Sequence, residues 1–262
     1  MIVIKYGGHA LPEAESNDPI LELIAARHNV GEKIILTHGG GPQINSALAL
    51  RGLGKEMIAG YRKTTPEVFE IVQEVLSGRV LRTIVNHLIS LGINAVGLSA
   101  ADGEMVRASR MSVEVDGIAT DVGLVGDIAS TNPALLLSLC EAGYLPVISP
   151  IGVDRNGQGL NLNADLVAGA IGGALGAEAV IFMTDVEGIY RNWPDKDSLI
   201  TEISAQELAD LAPTFADGMI PKVKSALAAL QAGAKSVRII DGREASHLAD
   251  AFAGIGGTLV KQ

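Results

Sequence analysis

Short apolar runs of strand length recur along the chain, and longer helical patterns separate them. Residues 2–6, 33–37, 94–98, 145–149, 178–184 and 236–241 read as strands. Each is nearly continuous in its apolar character, which suits strands covered on both faces. Helical patterns fall at 19–28, 42–52, 66–91, 133–142, 164–175, 205–212 and 219–232. Alternation of this kind predicts an α/β fold, a mainly parallel sheet with helices on both sides. Such sheets bind ligands at their C-terminal strand ends, so those ends are where chemistry is sought.

Two stretches break the rhythm. Residues 103–127 alternate in polarity, with charges at Glu104, Arg107, Arg110, Glu114, Asp116 and Asp121. Residues 151–163 carry the turn signal Asp154-Arg155-Asn156-Gly157. Both read as β-hairpins appended to the main sheet. Thr64 and Glu67 form the S/T-x-x-E spacing of a capping box at one helix start. There is no Pro/Ser-rich linker, so a division into lobes must be tight. It is placed near residue 176, giving lobes 1–176 and 177–262.

Composition narrows the partners. Lys and Arg number 20 against 30 Asp and Glu, a net charge of −10, which argues against a general nucleic-acid binder. The single Cys140 excludes an internal disulfide framework and a cysteine-rich zinc site; within LLLSLCEAGYLPV it reads as a buried thiol. No apolar run approaches the ~18–20 residues of a membrane span. The start, MIVIKYGG, lacks a secretory pattern. A soluble, cytoplasmic protein is expected.

Five motifs carry chemistry. Lys5-Tyr6-Gly7-Gly8-His9 ends the first strand, where glycines let a ligand approach the backbone and Lys5 adds a point charge. Thr37-His38-Gly39-Gly40-Gly41-Pro42 ends the second strand and opens a helix, an arrangement that offers amides and a positive dipole end to an anion. His38 is either a ligand or base, or a residue that fixes the loop. Asn161-Leu162-Asn163-Ala164-Asp165 leads into a helix rich in small residues; capping accounts for Asn163 and Asp165 but not for all three polar side chains. Thr184-Asp185-Val186-Glu187-Gly188-Ile189-Tyr190 ends a further strand. Asp217-Gly218-Met219-Ile220-Pro221-Lys222 places a lysine near a helix start, where it opposes the macrodipole unless an anion sits there. Arg62, in Gly60-Tyr61-Arg62-Lys63, offers a fork for a carboxylate or phosphate. The dinucleotide fingerprint fails, since Ile44 stands where its third glycine belongs. G-x-x-x-x-G-K-[ST] is absent too.

In their order along the whole chain, KYGG, HGGGPQIN, GYR, AVGLS, VGLVGDI, PVISPIG, NLNAD, TDVEGIY, DGMIPK and IIDGR resemble the amino-acid kinases, most closely the members acting on N-acetylglutamate. The resemblance implies an open three-layer αβα sandwich around a central, mainly parallel sheet. It implies an N-terminal lobe for the acyl-amino acid and a C-terminal lobe for the nucleotide. The implied reaction uses ATP, with Mg²⁺ held mainly through the nucleotide, to phosphorylate the side-chain carboxylate of N-acetyl-L-glutamate. This is the second step of arginine synthesis.

The resemblance also implies roles for particular residues. Lys5 and Lys222 would flank the transferring phosphoryl group, and Asp165 would orient both lysines. Gly8 and Gly40 would offer amides to phosphate oxygens, with Gly39 and Gly41 shaping the loop. Arg62 and Asn161 would hold the substrate carboxylate beside Gly40 and Gly41. Gly7, Gly8, Gly39, Thr184, Asp185, Gly188, Tyr190, Gly218 and Met219 would line the nucleotide site. No dedicated metal ligands and no nucleic-acid or membrane partner are expected. A homodimer is expected rather than a homohexamer. Tyr61 and Lys63 depart from the family's pattern beside the substrate pocket. They leave open a sister kinase for a carrier-protein-bound aminoadipate or glutamate. A silent amino-acid or nucleotide sensor on the same fold is a further alternative.

Overall fold

The computed structural model describes residues 1–7, 18–215 and 219–262. Its centre is an eight-stranded sheet. In chain order the strands are β1 (Ile2–Tyr6), β2 (Ile34–His38), β3 (Ala95–Ser99), β4 (Leu145–Ser149), β5 (Ala179–Thr184), β6 (Glu202–Ser204), β7 (Ser236–Asp241) and β8 (Thr258–Lys261). Across the sheet they run β6-β8-β7-β5-β1-β2-β4-β3. Every neighbouring pair is parallel except β7 with β8. All six expected strands are present, within a residue at each end.

The apolar runs are buried as their composition requires. Val3, Ile4, Ile34, Ile35, Leu36, Val147 and Ile148 are fully enclosed, and each such side chain contributes roughly 1.5–3 kcal/mol. Helices Ala164–Ala174 and Ile220–Gln231 pack on one another and on the sheet. Small residues let them approach: a Cβ added to Gly169 would lie 3.1 Å from the Ala229 Cβ. On the other side, Pro19–Asn29 packs between Leu81–Ser90 and Ala245–Phe252. The result is the expected three-layer sandwich.

The helical pattern at 66–91 forms Pro66–Gln73, a π-helical stretch Glu74–Val80, and Leu81–Ser90. The cap differs from the expected one. Thr65, not Thr64, accepts from the Val68 amide. The buried Thr64 instead pairs with Gly123 as an isolated bridge.

The two irregular stretches do form hairpins, Val106–Val115 with Ile118–Thr131 and Ile151–Val153 with Gly159–Asn161. They are not appended to the main sheet; they pair with each other in a separate four-stranded closed unit. Their polar alternation, with one dry face, suits a small sheet of its own. Cys140 is buried, and burial raises its thiol pKa. No helix among the described residues is long and apolar enough to cross a membrane.

Candidate functional site

The register of the sheet aligns the motifs. Lys5 stands opposite Thr37 on one side and Phe182 on the other, and Tyr6 opposite His38. The C-terminal ends of β1, β2 and β5 therefore share one rim, and the glycine loops leave from it.

On that rim Lys5 Nζ lies 3.0 Å from Asp165 Oδ1, and 3.4 Å from the Met183 carbonyl, to which it donates. Both side chains of the pair are largely buried. Asp165 is held there by its helix: Asn163 Oδ1 accepts from the amides of Asp165 and Leu166. The sequence expectation that Asp165 orients both lysines needs correction. Lys222 Nζ lies 3.2 Å from Asp185 Oδ1, in the turn that follows β5. The ion pair ties Lys222 to the turn after β5, while Asp165 is engaged by Lys5.

The loop after β2 is tightly built. Gly39 spends its amide on the Tyr6 carbonyl, so it shapes the loop. A Cβ on Gly40 would lie 2.6 Å from Leu76 Cδ2, in the π-helical stretch, whereas one on Gly41 would meet open space. No side chain caps helix Gly41–Leu50. Its first amides thus keep unused donors at the positive end of the dipole. His38 is fully buried and its Nδ1 faces the Gly39 carbonyl at 2.8 Å. Burial pushes its pKa down to about 4, so it is a neutral loop anchor and not an accessible base. Gly7 backs onto β5, where an added Cβ would lie 2.7 Å from the Met183 carbonyl.

A second line of contacts starts at Arg62. Its Nη2 donates to Asn45 Oδ1 at 2.5 Å, while its Nη1 is buried with no hydrogen-bond partner. Burial lowers the guanidinium pKa. The Thr64 hydroxyl donates to the Arg62 carbonyl at 2.8 Å and accepts from Asn161 Nδ2 at 3.2 Å. Arg62 and Asn161, 99 residues apart by number, are thus joined through Thr64. Asn161 in turn stands four residues before Asp165. Tyr61, beside them, has its phenol pKa raised by burial and by Asp127. Lys63 turns away to pair with Glu56 at 2.9 Å.

The turn after β5 is mostly self-engaged. The Thr184 hydroxyl contacts the carbonyls of Val186 and Ile240. Gly188 packs against Thr258, and Tyr190 is buried with its hydroxyl donating to Glu187 Oε2 at 2.9 Å. Burial and Glu187 push the Tyr190 pKa up to about 12. Asp185 is the member of the turn that faces another site residue. Met219 stands just before helix Ile220–Gln231, which also lacks a side-chain cap. Gly8 and Gly218 lie outside the described residues. Among the described residues no group of three or more His, Cys, Asp or Glu is placed to hold a metal ion.

The sequence reading did not single out Asn45, although it lies in the HGGGPQIN block. Helical spacing was the available signal, because position 45 falls one turn after Gly41 on the same face.

A family model described as the amino acid kinase family matches residues 1–241. Acetylglutamate kinase of Rhodococcus jostii is 43% identical over 262 residues, covering 99% of this chain and 85% of that protein. That of Mycolicibacterium vanbaalenii is 41% identical over 264 residues, covering 100% and 91%. Among solved structures, N-acetylglutamate synthase from Neisseria gonorrhoeae, complexed with coenzyme A and N-acetyl-glutamate, is similar with a TM-score of 0.83 at 26% identity. The match covers all of this chain but 59% of the synthase. Carbamate kinase from Giardia lamblia bound to AMP-PNP shares the fold, with a TM-score of 0.68 at 18% identity and coverage of 99% and 98%. By its sequence over nearly its full length and by its sheet, the chain belongs to the amino acid kinase family.

Proposed function

We propose that this protein is an ATP-dependent kinase of the N-acetyl-L-glutamate side-chain carboxylate, acting in arginine synthesis. The observation that carries the reading is the buried, unpartnered Nη1 of Arg62, linked through Thr64 to Asn161. A half-buried cation with an open donor favours an anionic partner, and the α-carboxylate of an acylated amino acid supplies one.

In the proposed reaction a side-chain carboxylate oxygen bonds to the γ-phosphorus of ATP. The bond from that phosphorus to the β–γ bridging oxygen breaks, and ADP leaves with the electron pair. The nucleophile is already ionised at neutral pH, with an ordinary pKa near ~4.3. No general base is required, which suits a His38 that is buried and neutral. Catalysis then rests on alignment and on charge stabilisation. Lys5 and Lys222 would offset the charge spread over the phosphoryl oxygens, and the uncapped amides at Gly40 and Gly41 would bind the same group. Asp165 and Asp185 would keep the two ammonium groups in place. Mg²⁺, carried in on the nucleotide, would shield the phosphate charge.

In this reading lobe 1–176 holds the acyl-amino acid and lobe 177–262 the nucleotide, around Thr184, Asp185, Gly188, Tyr190, Gly218 and Met219. A cytoplasmic location suits a reaction that draws on ATP. A homodimer is the proposed assembly, and the edge of β3, which among the described residues pairs with β4 alone, is one surface it could use. A carrier-protein substrate would call for a basic rim at the pocket. Lys63, the candidate for that rim, is engaged by Glu56.

The test is product trapping. Protein with ATP, Mg²⁺ and N-acetylglutamate should yield an acyl phosphate that hydroxylamine converts to a hydroxamate. No hydroxamate from N-acetylglutamate, with turnover of a carrier-bound acid, would overturn the substrate assignment.

A further inference from the structure

Building on the substrate reading above, we infer that Asn45 is a positioning residue that sets the Arg62 guanidinium for the substrate carboxylate. The guanidinium is a rigid planar fork, so fixing one arm fixes the plane of the other. Asn45 Oδ1 takes the Nη2 arm at 2.5 Å, and the Nη1 arm is the one left buried without a partner. The backbone end of Arg62 is held separately, by the Thr64 hydroxyl on its carbonyl at 2.8 Å. Thr64 itself is pinned by the Leu124 amide, which donates to its carbonyl at 2.6 Å. Asn45 is therefore the hold on the tip of the side chain.

The residue type matters as much as the contact. An amide oxygen accepts from the guanidinium without cancelling its charge. A carboxylate at the same place would neutralise the cation and compete with the substrate for it. Asn45 also stands on helix Gly41–Leu50, so the tip of Arg62 is referenced to the element that begins at the phosphate-facing glycines. One amide thereby fixes the distance between the end of the substrate that is recognised and the end that reacts.

Steady-state kinetics of the full chain test this, with Asn45→Ala, Asn45→Asp and each combined with Arg62→Lys. Asn45→Ala should raise KM for N-acetylglutamate about tenfold, and Asn45→Asp more. For both, kcat and KM for ATP should stay within about twofold. On the Arg62→Lys background, which lacks the fork, Asn45→Ala should add less than about twofold. Additive effects on that background, or kcat and both KM values moving together, would overturn the inference in favour of a merely structural contact. Asn45→Asp, isosteric with the native side chain, carries the test where Asn45→Ala fails to fold. Hydroxamate trapping with the unmodified protein separates the two readings. Without turnover of N-acetylglutamate the substrate assignment falls, and the same cycle is read with whichever acyl-amino acid the protein does phosphorylate.

Discussion

Lys222 and Asp185 are ion-paired at 3.2 Å across 37 residues of sequence, while Lys5 is held by Asp165 at 3.0 Å. Each lysine thus has its own carboxylate. If both stabilise charge that develops during transfer, Lys5→Ala and Lys222→Ala should each lower kcat by ~10²–10³ and change either KM by only a fewfold. Asp165→Asn and Asp185→Asn should give smaller losses in kcat. Separate partners also predict that the two asparagine changes combine additively. Near-full kcat in either alanine variant would remove that lysine from the mechanism.

Gly123 tests how the hairpin unit is tied to the segment that carries Arg62 and Thr64. It adopts φ +81°, and an added Cβ would lie 2.2 Å from the Thr64 carbonyl oxygen. Gly117, at the hairpin tip, has φ +77° but open space around it. Gly117→Ala should therefore cost about 1 kcal/mol, from backbone strain alone. Gly123→Ala should cost at least ~2–3 kcal/mol, since rigid backbone must shift as well. Chemical denaturation of the two variants decides the matter; equal losses would mean that the contact with Thr64 carries no stability.

His38 gives a pH-dependent signature. Its pKa is about 4 when folded and ordinarily 6.5. Between those values the unfolded chain binds a proton that the folded chain does not. The stabilisation is therefore complete above pH 6.5 and is lost as pH falls towards 4, by about 3 kcal/mol. The difference in unfolding free energy between the native protein and His38→Gln should be constant above pH 6.5 and shift against the native protein by about 3 kcal/mol as pH falls towards 4. A difference independent of pH would mean that His38 titrates alike in both states.

Strands whose two faces are both buried were the most legible elements. The runs at 2–6, 145–149 and 236–241 were read with the bounds observed, because an apolar run flanked by turn residues has few other uses. Glu202–Ser204, Thr258–Lys261 and helix Ala245–Phe252 were not read. Three or four residues carry too little pattern, and the pairing of β6 with β8 and of β8 with β7 is a long-range property. The positions of Lys5, Asp165, Arg62 and Asn161 were legible through motif order. Their partners were not. That Lys222 meets Asp185, that Lys63 meets Glu56, and that Asn45 meets Arg62 depends on side-chain reach across loops, which spacing along the chain does not encode.

Strand β1 lies between β2, which follows within 40 residues, and β5, which begins at Ala179. On the ribosome it can therefore pair on one side early and must wait for the other. At ~5–20 residues per second the wait is on the order of ten seconds. Throughout it a nearly all-apolar strand carrying Lys5 keeps an unpaired edge. Such an edge is open to other chains. The central strand that organises the finished site thus spends part of synthesis with an aggregation-prone edge that its finished position hides.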